Sequence, residues 1–216
     1  MDTRFKPVTQ RHDKVIIVAG GNSLRGFNLD KLNIPNVVTI AVNKAVEYFN
    51  ADYFCTIDRF APATIKCYPK NCYKFIGFKE PIFKGFHNLK RYIINHKDQV
   101  NNYNFLLCEQ KDMIQTHNSA YAAFNLAYHF EPIKVLLLGV DADQSPHFYD
   151  DINNPVIYNN ASLGWKNSIS KIPLLFEKSL PQINKRGIKV INGSLHSLVN
   201  CFDKMSIEDS LDWIKE

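Results

Sequence analysis

The chain has 216 residues, 45% of them hydrophobic and 22% charged, with a net charge of +5 and a pI near 8.8. That balance suits one globular domain spanning 1–216. It excludes a membrane-spanning helix, since no run approaches the ~20 apolar residues one needs.

The opening "MDTRFKPVTQRHDK" is polar and lacks the apolar core of a secretory signal, so the cytoplasm is the expected compartment. A hydrophobic run, "KVIIVAG" (14–20), follows and reads as a buried strand. It stops at Gly20 and Gly21, then Asn22 and Ser23, before the helix-like "LRGFNLDKLN". Glycines without a Cβ allow close approach of a ligand, and Asn22 and Ser23 can cap a turn or bond a phosphate oxygen. The letters match neither the dinucleotide fingerprint nor the Walker loop, so a plain turn and a phosphate cradle both stay open.

"NVVTIAVN" (36–43) and "DYFCTID" (52–58) are the next strands, ending at Asn43 and Asp58. Residues 59–103 break the rhythm. They hold an irregular insert with a short strand at "YKFIGF" and a short helix near "NLKRYIIN". The lysines between 66 and 97 are either a solvated face or a welcome for a phosphate-bearing partner. "NSAYAAFNLAYHF" (118–130) reads as a helix opened by Asn118 and Ser119, either a simple cap or an anion site at its N-terminus.

"IKVLLLGVD" (133–141) is a strand ending in Asp141, whose simplest role is an Asx turn. The irregular stretch after it, 142–168, carries His147 and Tyr149 and is the expected lid. "ISKIPLLFEKSLPQINKRG" (169–187) is a helix that Pro173 and Pro181 should interrupt or bend. "GIKVING" (187–193) is a fifth strand, and "SIEDSLDWIKE" is a closing helix capped by Ser206. Near-continuous apolar strands alternating with helices predict an α/β fold: a Rossmann-like, open, mostly parallel sheet with helices on both faces and a small irregular lid. Five cysteines, an odd number with no CxxC pair, argue against a disulfide framework and a zinc site.

Polar residues ending several strands at one predicted edge favour a ligand site there. They also carry a resemblance. From Lys14 to Asn33 the chain resembles the opening K-V-I-I-A-G-N-G-P-S-L of the bacterial oligosaccharide sialyltransferases. Asn43 matches their nucleotide-contacting Asn. "HNSAYAAFNLAYHFEPIKVLLLGVD" resembles their T-S-G segment running into G-x-D, and "IKVINGSLHSLVNCF" their late strand ending C-P-N-S-L-L. Motility-associated glycosyltransferase-like proteins share the pattern. So do small phage-encoded proteins of about this length, in which an H-F-Y or H-W-H segment follows G-x-D as His147–Tyr149 does here.

The resemblance implies a nucleotide, as part of a nucleotide-sugar donor, surrounded by Gly20, Gly21, Asn22, Ser23, Asn43, Asn118, Ser119, Asp141 and Tyr149. Gly20 stands where the family has Asn, and Asn22 where it has Pro. The family's base histidine falls on or beside Trp165. His147 is then the candidate base, because an imidazole can accept a hydroxyl proton near neutral pH, and Asp58 is the alternative. The expected activity is sugar transfer to a hydroxyl acceptor, which the phage relatives would make a hydroxylated base in DNA. No cofactor is implied, and a divalent metal is possible but not favoured. A non-catalytic nucleotide-binding protein and a metal-dependent pyrophosphokinase-like enzyme, using Asp58 and Asp141, are the alternatives. The sequence does not decide the oligomeric state.

Overall fold

The structure is a computed structural model that describes residues 10–58, 61–77, 87–88, 90–91, 106–111, 113–115, 117–143, 145–151 and 168–216. Trp165, most of the expected lid and much of the expected insert lie outside the described residues. The main sheet contains β1 (Lys14–Val18), β2 (Val38–Val42), β3 (Tyr53–Thr56), β4 (Tyr73–Ile76), β5 (His87–Asn88), β8 (Lys134–Leu138), β9 (Lys189–Asn192) and β10 (Asp203–Lys204). Their order is β10-β9-β8-β1-β2-β3-β4-β5, and every described pairing is parallel. β6 (Lys90–Arg91) and β7 (Met113–Ile114) form a separate short parallel pair. The fold is therefore the open α/β, Rossmann-like sheet that the apolar runs predict.

All five sequence-predicted core strands are present because their β-branched and leucine-rich runs can be buried on both faces. In β1, Val15 and Ile17 face one core with the buried rings of Tyr121, Phe124 and Phe176. Ile16 and Val18 face the other, with Leu24, Leu29, Leu211 and Ile214. The first core is covered by α2 (Ser119–His129) and α3 (Ile172–Lys185). The second is covered by two 3-10 segments after β1 and by α4 (Ile207–Lys215), whose Ser206 hydroxyl accepts a hydrogen bond from the Asp209 backbone N–H at 3.1 Å. Between β3 and β4 lies the four-residue α1 (Ala61–Thr64). All eleven residues of α2 are buried, in keeping with its Ala-rich and mostly apolar sequence.

Two expectations are corrected. α3 runs through Pro181 without interruption. The helical stretch at 168–170 gives way to a turn at Lys171, so the pattern does break just before Pro173. Pro173 sits in the first turn of α3, where a missing N–H leaves no intrahelical bond unmade. The described part of "NLKRYIIN" is strand, not helix, because Asn88 closes β5 and Lys90–Arg91 pairs with β7. The five cysteines are free. Among the described residues no helix is long and apolar enough to cross a membrane.

Burial also sets a pH response. His129, on α2, is depressed below its ordinary value by desolvation, which outweighs the opposing hydrogen bond to the Met113 carbonyl at 2.7 Å. His12 and His117 are depressed in the same direction, again chiefly by burial. A histidine that binds protons more weakly when folded contributes stability above its unfolded pKa, and loses it as pH falls below about 6.5. The urea midpoint should therefore drop between pH 7.5 and pH 5.5, and a His129→Gln variant should show a shallower drop.

Candidate functional site

The strand order runs outward from β1 in one direction through β2, and in the other through β8. The β1–β8 boundary is thus a topological switch point, where loops diverge and leave a crevice at the carboxyl edge of the sheet. A cleft of about 370 Å³ opens there, lined by residues following β1, β2, β3 and β8 and by the N-terminus of α2. That volume matches small-molecule sites, which fall in the range of about 300–1,000 Å³.

Gly20 and Gly21 line the cleft, but the close approach they permit is made by the chain itself. A Cβ on Gly20 would meet the His147 ring at 2.5 Å and the Tyr149 hydroxyl at 3.0 Å. One on Gly21 would meet the Gly139 carbonyl at 2.5 Å and the Asp141 carboxylate. The Gly21 N–H instead donates to the Gly139 carbonyl at 2.8 Å, extending the β1–β8 ladder past the strand ends. Asn22 and Ser23 do not line the cleft. The Asn22 carboxamide accepts from Arg25 Nε at 2.7 Å.

Ser23 donates to Asp141 twice, from its backbone N–H at 2.8 Å and from its hydroxyl at 2.7 Å. Asp141 is only 4% exposed and both its oxygens are engaged, so it clamps the glycine turn onto β8. The Asx-turn expectation for Asp141 becomes a cross-strand tie. An Asx turn does occur two residues on, where Asp143 accepts from the Ser145 N–H and hydroxyl. Between them Ala142 holds φ 61, a left-handed conformation that costs a non-glycine residue roughly 1–2 kcal/mol. Strain of that kind concentrates at ligand sites.

Asn43 opens a 3-10 segment directly after β2 with φ 51, a region that Asn tolerates better than most residues. Its side chain is oriented by a relay. The Asp58 N–H donates to the Thr56 hydroxyl at 3.0 Å, and that hydroxyl donates to Asn43 Oδ1 at 2.6 Å. With its oxygen taken, the Asn43 carboxamide offers its N–H₂ end as a donor in the cleft wall. Asp58, following β3, lines the same cleft.

Asn118 is the N-cap of α2: its Oδ1 accepts from the Ala120 N–H at 2.8 Å, and its Nδ2 donates to Ser168 at 3.2 Å. The Ser119 hydroxyl accepts from the Ile57 N–H at 3.3 Å, tying β3 to the helix start. Both residues line the cleft, and both roles fix where the positive end of the α2 dipole meets it.

The segment after β8 folds back onto the glycine turn. The Phe148 N–H donates to the Gly20 carbonyl at 2.9 Å. The His147 ring stacks on Tyr149, with centroids 5.1 Å apart and planes at 9°, and Tyr149 stacks on Tyr48 at 5.4 Å and 11°. The Lys44 ammonium lies 5.3 Å from the Tyr149 centroid, placing a cation at the rim. The Tyr48 phenol is raised above its ordinary value by desolvation, then by Glu47 and Asp150.

Sequence reasoning missed several residues that this arrangement uses. Asp150 accepts from His147 Nδ1 at 2.7 Å, and Arg25 braces the same turn. The i,i+3 spacing of His147 and Asp150 across a Tyr-containing turn was a visible signal, whereas Arg25, Thr56, Lys44 and Tyr48 carried none. Among the described residues no group of three His, Cys, Asp or Glu side chains is placed to hold a metal ion. Compared with family models, curated proteins and solved structures, the chain matches none, so the cleft is interpreted from its own chemistry.

Proposed function

We propose that this protein is a glycosyltransferase-like enzyme that binds a nucleotide-sugar at the β1–β8 switch point and transfers the sugar to a hydroxyl acceptor. The observation that carries the reading is convergence. Asn43, Asp58, the His147–Tyr149 turn and the capped start of α2 come from four separate segments and line one cleft. Donors at Asn43 and at the α2 N-terminus suit the phosphates, and Lys44 adds charge at the rim. His147 acts as base: the acceptor O–H proton passes to the imidazole as the oxygen bonds to the anomeric carbon. The bond from that carbon to the leaving phosphate oxygen breaks, and the nucleotide departs with the electron pair. The resemblance to sialyltransferase-like proteins supports the donor class.

One further reading rests on a specific observation. The engagement of Asp141 and Ser23 with each other favours a nucleotide binder whose turn is structural. The pyrophosphokinase-like reading loses its second metal carboxylate to the same pair. A hydroxylated DNA base as acceptor would require salt-dependent DNA binding, to which the exposed Tyr73 and the Lys74 ammonium 5.4 Å from the Tyr68 centroid would contribute.

Thermal shift against nucleotides and nucleotide-sugars, with and without Mg²⁺ or Mn²⁺, tests the proposal. A ligand at 100 times its Kd should add ~2.7 kcal/mol. A metal-independent rise with one nucleotide-sugar is the expected result. A rise only with metal would turn the reading to the pyrophosphokinase class, and a flat panel would remove the nucleotide from the cleft.

A further inference from the structure

The turn from His147 to Asp150, which brings His147 and Tyr149 to the cleft wall, is held by several hydrogen bonds. The Asp150 N–H donates to the His147 carbonyl at 3.0 Å, closing the turn. Asp150 Oδ2 accepts twice from His147, from the backbone N–H at 2.9 Å and from ring Nδ1 at 2.7 Å. Arg25 then grips the turn from outside: its Nη2 donates to the His147 carbonyl at 2.7 Å, and its guanidinium donates to the Asp150 carbonyl at 3.3 Å. Arg25 is itself fixed by Asn22. The ring also stacks on Tyr149, and its Cδ2 atom comes so close to Gly20 that a side chain there would not fit.

A structural turn needs only the backbone bonds. The ring bond adds something different. An ionised carboxylate accepts and cannot donate, so the neutral imidazole facing it must carry its proton on Nδ1. The lone pair then sits on Nε2, the nitrogen next to the Cδ2 atom that overhangs Gly20 in the cleft wall. The Asp150 side chain is 15% exposed and the His147 side chain 34%, so the orienting group is the more sheltered of the two.

We infer that Asp150 is a positioning residue. It selects the Nδ1–H tautomer of His147 and aims Nε2 as the proton acceptor, with Arg25 holding the turn that carries both. This rests on the proposed role of His147 as base, yet the tautomer is a property of the protein alone.

The first test is therefore ligand-free. Long-range ¹⁵N–¹H correlation on histidine-labelled full-length protein, at a pH where His147 is neutral, reads which ring nitrogen carries the proton. The expected wild-type spectrum shows Nδ1–H for His147, and Asp150→Ala should move it to the Nε2–H form that free histidine prefers. A wild-type Nε2–H form would overturn the inference, as would an Asp150→Ala spectrum unchanged from wild type. The wild-type spectrum decides even if the variant does not fold. In a transfer assay Asp150→Ala should lower kcat about 10-fold or more with KM within about twofold, since orientation of the base matters only at the proton transfer. Inactivity of the wild type on every nucleotide-sugar would sink the transferase reading and leave the tautomer assignment standing.

Discussion

Gly139→Ala is expected to cost about 3 kcal/mol or more of unfolding free energy, because overpacking and a left-handed backbone add at one position. Gly139 has φ +64, and a Cβ there would lie 2.6 Å from the Ala19 carbonyl oxygen, 2.8 Å from Leu24 Cδ1 and 3.0 Å from the Gly21 nitrogen. Two of those atoms are backbone on the adjacent strand end, so no rotamer change relieves them. Gly26 supplies the control. Its φ of +78 is just as unfavourable to a side chain, but nothing lies within 4 Å of the added atom. Gly26→Ala should therefore lose only about 1 kcal/mol, the conformational share alone. Urea denaturation of the two variants separates the terms. Equal losses would mean that the β1–β8 junction relaxes freely, and that the glycines are not holding the cleft wall together.

His147→Gln is the second large effect, and it is an effect on rate. Removing a general base should lower kcat roughly 100- to 10,000-fold, while nucleotide affinity by thermal shift stays within about twofold. Glutamine retains a side-chain amide of similar reach but cannot accept the proton. The bonds that the His147 backbone makes with Arg25 and Asp150, and the stack of Tyr149 on Tyr48, do not require the imidazole, so the fold should persist. If Asp58→Asn instead abolishes transfer and His147→Gln leaves it intact, Asp58 is the base. Both residues line the cleft, so the pair of variants decides between them.

Much of this protein is legible in its letters. The five core strands, α2, α3 and the Ser206 cap follow from apolar runs, periodicity and cap chemistry, which are local properties. The sheet edge that gathers the site was legible too, because parallel strands joined by crossovers must end on one side. Tertiary structure alone decided what each polar residue does there. Ser23 and Asp141 are 118 positions apart and satisfy each other, which no spacing rule anticipates. The glycines, read as room for a ligand, hold room for His147, Tyr149 and the Gly139 carbonyl, because what fills the space above a missing Cβ is set by the partner strand. Arg25 reaches His147 and Asp150 across more than 120 positions for the same reason. Local patterning determines which segments are strand or helix, whereas the pairing of buried polar groups depends on which loops the strand order brings to the switch point.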